Sequence, residues 1–400
     1  MKRIAVLWGT LLLTTTLMAQ NTAQQVLSTT QKVNNYFMAR YADPTLPTNV
    51  KKVRPSSLWT RAVYYEGLMA LQEIDPQERY IDYTDRWAAF HQWTPRNGIK
   101  TGDADDQCCE QTYLMRYVQT GQKEMLSPTL QNLDLQMQKA NPKNQSLYGW
   151  WTWIDAIQMA MPVYMQAYKI TGDKKYRDHA MQMYRWSRNE CGGGLFNEKD
   201  GLWWRDADYV PPYKEPDGKD CYWSRGNGWV YAALVRAMDA MLLAKEAQIP
   251  QYWESLGTKQ WTNIGVDAHF NDYKKDYLTM TEALVKCQRS DAFWNVSLYD
   301  ESNYGGVELS GTSLFIYGMA WGVRHGYLPK KKYAPIVYRT WEAMVKTCLH
   351  ENGFLGYVQG TGKEPKDSQP VTYTTEPDFD DYGLGCFLLC GAEVFRLLNK

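Results

Sequence analysis

Two acidic segments and one basic, aromatic string in this chain have the residue types and spacing of chemically active groups. Asp155 follows Trp150-Trp151-Thr152-Trp153 and precedes Met159, Met161 and Tyr164. A carboxyl packed against indole rings loses solvation, which favours its neutral form and suits a general acid near neutral pH. At the start of an apolar helix the same Asp could equally be a plain N-terminal cap. Asp105 and Asp106, with Asp103 just before them, precede Gln107-Cys108-Cys109-Glu110. Acidic residues in a first turn suit the helix dipole, but three carboxyls exceed what one cap needs. If these segments face each other, Asp155 and one of the earlier aspartates form the carboxyl pair that glycoside hydrolysis uses.

The string Trp223-Ser224-Arg225-Gly226-Asn227-Gly228-Trp229 is the most distinctive in the chain. Its glycines allow tight backbone at a helix start. Arg225 offers a planar fork for a carboxylate, and the flanking indoles can stack on sugar faces. A purely structural corner is the alternative. It is no phosphate loop, because no strand-like run precedes it and no GK[ST] follows.

The elements that must position these groups recur with a beat. Apolar residues spaced i, i+3, i+4 and i+7 predict helices over 23–40, 59–73, 77–93, 106–120, 122–139, 153–171, 173–189, 226–245, 256–268, 272–289, 310–325, 333–348 and 381–398. The Gly/Asp-rich stretch 191–221 is read as a short hairpin. Polar-aromatic lead-ins occur at 58–61, 103–106, 153–155, 223–229, 308–312 and 378–383, spaced by a helical hairpin or somewhat more. Hairpins closing into a ring would gather these lead-ins at one end of an inner barrel, around a concave site. The periodicity argues for an all-α toroid of about twelve helices, although a solenoid of helical pairs gives the same beat.

Composition narrows the partners. Lys+Arg and Asp+Glu both number 44, so the neutral balance gives no footprint for nucleic acid or an anionic membrane surface. The chain carries 17 Trp and 29 Tyr, enough to fill a helical core and still line a sugar cleft. Residues 1–19 read as a signal peptide: Lys2 and Arg3, then an apolar run from Ile4 to Met18, then Ala19. The run is short and Thr-rich for a membrane span. An exported protein is expected, periplasmic in a Gram-negative source, with residues 20–400 as one catalytic domain. Cys108 and Cys109 are adjacent, and Cys386 and Cys390 lie one helical turn apart, so the eight Cys read as buried thiols. No zinc or triad spacing appears among the five His.

On these residues the chain resembles the unsaturated glucuronyl and galacturonyl hydrolases of glycoside hydrolase families 88 and 105, and family 105 most. The resemblance rests on Trp153-Ile154-Asp155 with Met159, the string 223–229, Gly201-Leu202-Trp203-Trp204, Glu308 to Thr312 leading into Tyr317 to Gly322, and Tyr382 to Gly385 running into Gly391 to Val394. It implies an (α/α)6 barrel that hydrates the C4=C5 double bond a polysaccharide lyase leaves on a terminal uronic acid. An Asp protonates C4, water adds at C5, and the hemiketal opens to release the rest of the chain. The resemblance makes Asp155 the acid/base and Asp105 the second Asp, with Asp106 as fallback. It makes Trp153, Trp223, Arg225 and Trp229 binding residues and places Trp59 at the site. The expected partner is an oligosaccharide ending in an unsaturated uronic acid. No metal or organic cofactor is expected, and the protein is expected as a monomer or weak homodimer.

The chain departs from the family at Arg205, where members acting on rhamnogalacturonan carry a His. Arg205 could meet a sulfate or second carboxylate of the substrate, or pair with Asp206 or Asp208. The competing readings are an ordinary glycosidase or a polysaccharide lyase on the same toroid, and a sugar-binding protein without catalysis. A terpene cyclase is disfavoured by the lack of a DxDD or DDxxD run and by the export signal.

Overall fold

The computed structural model describes residues 22–50, 53–139, 151–244, 267–378 and 380–400. The first helix, α1, covers 22–40. There follow α2 (Trp59–Ile74), α3 (Glu78–Phe90), the single turn α4 (Ala104–Gln107), α5 (Glu110–Thr120) and α6 (Ser127–Lys139). The second half holds α7 (Asp155–Thr171), α8 (Lys174–Asn189), α9 (Ser224–Ala244), α10 (Ala268–Cys287), α11 (Leu309–Arg324), α12 (Lys330–Cys348) and α13 (Tyr382–Leu398). Two small antiparallel ladders complete the described elements. Strands β1 (Thr48–Asn49) and β2 (Val53–Arg54) pair, as do β3 (Phe196–Asn197) and β4 (Leu202–Trp203). The second ladder is the hairpin expected within 191–221. The expected helix over 106–120 is divided at Cys108 and Cys109 between α4 and α5. The signal segment 1–19 and the helix expected over 256–268, as far as residue 266, lie outside the described residues.

Alternate helices differ in how apolar they are, and this sorts them into two layers. Every residue of α11 from Leu309 to Val323 is buried, and α13 is buried almost throughout. Helices apolar all round belong inside. In α8 only one face is buried, through Tyr176, His179, Ala180, Met183, Tyr184 and Ser187. That is an outer helix, with its polar face to solvent. The inner helices touch in a closed cycle: α2 against α4 and α5, these against α7, then α9, α11, α13 and back to α2. The outer helices back them; α8, α10 and α12 lie on α7, α9 and α11. On α1, Phe37 stacks on Tyr64 of α2 at 3.8 Å and Asn34 accepts from the Tyr64 hydroxyl at 2.8 Å. The ring is an (α/α)6 barrel. It closes between α2 and α13, where a Cβ at Gly67 would overlap the Gly385 carbonyl oxygen. Only glycine permits that approach.

The two ends of the barrel are unlike. Inner helices return to outer ones through tight turns: Asp75 to Gln77 after α2, and Gly172-Asp173 after α7. Gly121 and Gly172 end α5 and α7 with positive φ. The outward-to-inward connections are long, namely 41–58, 91–103, 190–223, 288–308 and 349–381 among the described residues. Long loops carried on a rigid ring gather at the end where all inner helices begin. Most aromatic rings fill the space between the layers: Trp87 stacks on Tyr65 at 3.9 Å and donates to the Ser56 carbonyl at 2.7 Å. All eight cysteines are free, and seven are buried.

One core residue gives the fold a pH signature. Glu110 opens α5 and is fully buried. Burial holds its carboxyl well above the usual range, against a smaller pull from the Thr129 hydroxyl. The unfolded chain releases this proton near the ordinary glutamate value while the folded chain keeps it. Stability is therefore complete at low pH and declines as pH rises, by up to ~1.4 kcal/mol per unit from this group. Glu110→Gln should flatten the fall of melting temperature measured between pH 5 and 8. An unchanged slope would show that Glu110 is not the source.

Candidate active site

Asp155 is the first residue of α7, and the chain before it is pinned by the segment after β4. Trp153 bridges to Asp206, and the Ile154 N–H donates to the Arg205 carbonyl at 2.9 Å. The β3–β4 hairpin is docked by Asn227, which accepts from the Trp203 N–H at 2.8 Å and donates to the Trp203 carbonyl at 3.0 Å. This scaffold sets Arg205 beside Asp155. Its Nε donates to Asp155 Oδ2 at 3.2 Å and its Nη1 to Asp206 Oδ2 at 2.6 Å. Arg205 thus reaches the site and bridges two carboxylates instead of projecting freely to solvent.

The structure separates the three neighbouring aspartates. Asp103 is the N-cap of α4 and accepts from the Asp105 N–H at 2.9 Å. Asp106 is buried and held from several sides: its Oδ1 lies 2.5 Å from Arg96 Nε, and its Oδ2 accepts from Asn97 at 2.9 Å and Thr101 at 2.6 Å. It anchors the 91–103 connection, so the fallback role considered for it does not fit. The Asp105 carboxylate has no protein donor among the described residues. Burial, then the negative charges of Asp103 and Asp155, push its carboxyl up to about 8, with Arg205 pulling the other way. Asp105 therefore holds a proton at neutral pH and lies within electrostatic reach of Asp155.

Three expected binding residues are not open to the mouth. Trp223, Arg225 and Trp229 are each 1% exposed. Arg225 donates to the carbonyls of Gln359 at 2.7 Å and Gly360 at 2.9 Å, and lies over the rings of Trp223 and Tyr382. Trp223 Nε1 donates to Gln359 Oε1 at 2.8 Å. Trp229 stands edge-on behind Trp59, with centroids 6.2 Å apart. The glycines of this string serve close packing: a Cβ at Gly226 would lie 2.9 Å from Trp223 and one at Gly228 2.9 Å from Leu314. The structural corner is the reading that holds for the string. Trp59 and Trp153 remain half-buried, each with part of its ring free. Trp150 and its neighbours at 148–149 lie outside the described residues.

Two further residues organise the mouth, and one of them was not legible in the sequence. Gln359 is fully buried; its Nε2 donates to the carbonyls of Glu364, Pro365 and Asp367, and its own carbonyl accepts from Tyr382 and Arg225. Glu308 caps α11, accepting from Ser310 and Gly311 N–H groups at 2.9 and 2.7 Å. The motif around Glu308 carried the signal for a cap; Gln359, a lone Gln in a Gly-rich loop, carried none. Among the described residues no group of three or more His, Cys, Asp or Glu is placed to hold a metal ion, and no helix is long and apolar enough to cross a membrane.

The mouth gathers the positive ends of parallel helices, a desolvated aspartic acid, an arginine-bound aspartate and half-buried indoles. On an (α/α)6 ring this makes one concave site at the mouth, lined by carboxyls, an arginine and indoles. Residues 29–398 match Glycosyl Hydrolase Family 88, and the chain belongs to that family of glycoside hydrolases. An unsaturated 3S-rhamnoglycuronyl hydrolase of Formosa agariphila is 28% identical over 356 residues, covering 85% of this chain and 84% of the relative. A family 88 glycosyl hydrolase from Bacteroides vulgatus has a similar structure, with a TM-score of 0.78 and 26% identity over 94% of this chain and 99% of that one. A protein described as a polysaccharide lyase matches as well, with a TM-score of 0.78 and 26% identity over 95% of this chain and 99% of its own.

The contrast between the aspartates is testable. Asp106→Asn should lower stability by about 2–4 kcal/mol, because it strands Arg96. Asp105→Asn removes a desolvated acid with no protein donor among the described residues and should leave stability equal or higher. Paired urea melts check both, and equal losses would refute the assignment. Arg225→Lys cannot hold two carbonyls in one plane. It should cost about 1–3 kcal/mol and expose the 359–370 segment to limited proteolysis.

Proposed function

We propose that this protein removes terminal 4,5-unsaturated uronic acid from lyase-generated oligosaccharides by hydrating the C4=C5 bond. The observation that carries the reading is the pairing of a protonated Asp105 with an Arg205-bound Asp155 at the mouth of a family 88 barrel. The relative's activity on an unsaturated rhamnoglycuronyl substrate supports it. Hydration needs one proton delivered to C4 and one taken from the water that adds at C5. The new C5 hydroxyl makes a hemiketal with the ring oxygen. That ring opens to a C5 ketone, C1 becomes a hemiacetal, and the remaining oligosaccharide leaves as an alcohol.

The proton belongs to the aspartate pair as a unit. The free protein stores it on Asp105. The substrate's uronate carboxylate enters beside Arg205, whose Nη2 has no protein acceptor among the described residues, and shares the guanidinium with Asp155. That weakens the hold of Arg205 on Asp155, the residue the family resemblance makes acid and base. The positive helix ends favour the same anion. The half-buried rings of Trp59 and Trp153 offer the sugar its stacking faces.

We further propose that the sugar after the uronate is a 3-sulfated rhamnose, by similarity to the Formosa relative and in keeping with Arg205 in place of the family's His. The motif order supports membership on the family 105 side of the group. The basic start and apolar run of residues 1–19 support export, to the periplasm in a Gram-negative cell. The likeness to a protein described as a lyase favours one second reading, that this chain creates the double bond instead of consuming it.

Ultraviolet absorbance separates the two, because the conjugated C=C–carboxylate absorbs. Lyase-treated rhamnogalacturonan, glycosaminoglycan, ulvan, gellan and arabinogalactan fragments are the test set. Absorbance should fall, fastest where 3-sulfated rhamnose follows the uronate. Asp155→Asn should reduce the rate by about 10²–10⁴. Because Asp105 must hold its proton, kcat/KM should decline as pH rises through about 8, and Asp105→Asn should remove that limb. A rise in absorbance on intact polysaccharide would establish the lyase. Cleavage of saturated uronides alone would overturn the hydration mechanism.

A further inference from the structure

Beneath the aspartate pair lies a buried charge pair that the reaction above does not use. Glu66, on α2, is 2% exposed. Its Oε1 accepts from Cys108 Sγ at 3.5 Å and its Oε2 from Gln158 Nε2 at 3.0 Å. Arg236 of α9 donates to the same Oε2. Cys108 follows Asp105 by three residues and Gln158 follows Asp155 by three. A three-residue step keeps to one helix face and descends about one turn. At that level Gln111 also ties α5 to α7, donating to the carbonyls of Gln158 at 2.9 Å and Met159 at 3.2 Å. One carboxylate therefore joins α2, α4–α5, α7 and α9 directly below the two groups that react.

We propose that Glu66 and Arg236 are positioning residues, a neutral charge pair that sets the separation of the helices bearing Asp105 and Asp155 and leaves no net field under them. The inference rests on these two aspartates being the reacting carboxyls. Geometry supports the positioning half, since a shift of α4 or α7 breaks a contact to Glu66. Electrostatics supports the other half. Arg236 keeps its charge at any working pH. Burial raises the Glu66 carboxyl, and Arg236 opposes this most strongly. The pair is closed off from the mouth; on the other side both residues line a cavity of about 450 Å³ at the far end of the barrel. The groups facing Asp105 are Asp103, Asp106, Asp155, Arg205 and, from below, Cys108. Those facing the pair are Cys108, Cys386 and Tyr317. Beyond Arg236 the cavity wall carries Asp239, and Glu393 paired with Arg324 and Arg396. The Glu393 cluster is internally paired, and Cys108 lies between the charge pair and Asp105.

The experiment follows the carboxyl of Asp105 by NMR in the whole protein with ¹³C-labelled aspartate, assigned with Asp105→Asn. Glu66→Gln keeps an acceptor for Gln158 but leaves Arg236 uncompensated. The Asp105 midpoint should fall by about one pH unit, and the alkaline limb of kcat/KM with it. Arg236→Gln leaves Glu66 without its counter-charge, so the buried carboxyl takes up a proton and the midpoint should stay near the parental value. The double variant should return it to the parental value, and Arg236→Lys should leave it there. Gln158→Leu, which alters no charge, should lower kcat about tenfold at unchanged KM. Should Glu66→Gln fail to fold, Gln158→Leu decides through its split of kcat from KM, because it leaves every buried charge in place. A fixed midpoint in folded Glu66→Gln, or an unchanged kcat in Gln158→Leu, would overturn the proposal. The titration needs no turnover: if no unsaturated uronide is consumed, the proposed function fails while the charge pair is still read.

Discussion

Six inner helices that run the same way around a dry axis deliver their unpaired N–H groups to one place. Each helix start leaves four such donors without an intrahelical partner. A buried donor without an acceptor costs about as much as a lost hydrogen bond several times over its net worth when made. The mouth must therefore be furnished with acceptors, and the rest of the site follows from how that demand is met. Asp103, Glu308 and Asp381 accept from the N–H groups of α4, α11 and α13. The acidity of this end is first a requirement of the ring and only then a resource for chemistry.

The demand explains why carboxylates of two kinds stand side by side. Those of the first kind are tied to an arginine and to polar neighbours. Asp381 caps α13, accepts from Thr60 at 3.3 Å and lies 3.6 Å from Arg61 in an interior closed to water. Asp106 has Arg96, Asn97 and Thr101. Such groups are buried and out of reach of a ligand. Those of the second kind are under-supplied. Asp105 has no protein donor among the described residues, and Asp155 shares a single arginine with Asp206. Positive helix ends surround both kinds, so what distinguishes Asp105 and Asp155 is the shortage of specific donors in a desolvated place. The same shortage marks a site for an incoming ligand, whose hydroxyls and water can supply what the fold withholds.

How much of this is readable before folding depends on the range of the interaction. The six polar-aromatic lead-ins coincide with the starts of the inner helices at Trp59, Ala104, Asp155, Ser224, Leu309 and Tyr382. They were visible because capping and small first-turn residues act within a few positions of the helix they start. Asp105 and Asp155 could be singled out on the same local grounds. The fate of Arg225 could not. Its partners, the carbonyls of Gln359 and Gly360, lie 134 and 135 residues further on. Read locally, an arginine between tryptophans looks like a carboxylate fork. In the folded ring it is the bolt that fastens the 349–381 connection over α9 and α13. The choice between Asp105 and Asp106 likewise waited on Arg96, Asn97 and Thr101, which belong to a loop without periodicity.

These long-range fastenings also bear on the acidity of the site. An aspartic acid that keeps its proton to about pH 8 must be kept from water. The loops that close around it come from well-separated parts of the chain, and each is held by a buried polar contact of its own. Asn227 holds the 196–206 hairpin, Arg225 and Gln359 hold the 359–367 segment, and Asp106 holds the 91–103 connection. Loosening any one should admit water to the mouth and return Asp105 towards its ordinary acidity. Buried polar groups remote from the reacting atoms therefore act on the chemistry through solvation. A string as distinctive as 223–229 can be essential to the reaction without any of its side chains opening to the substrate.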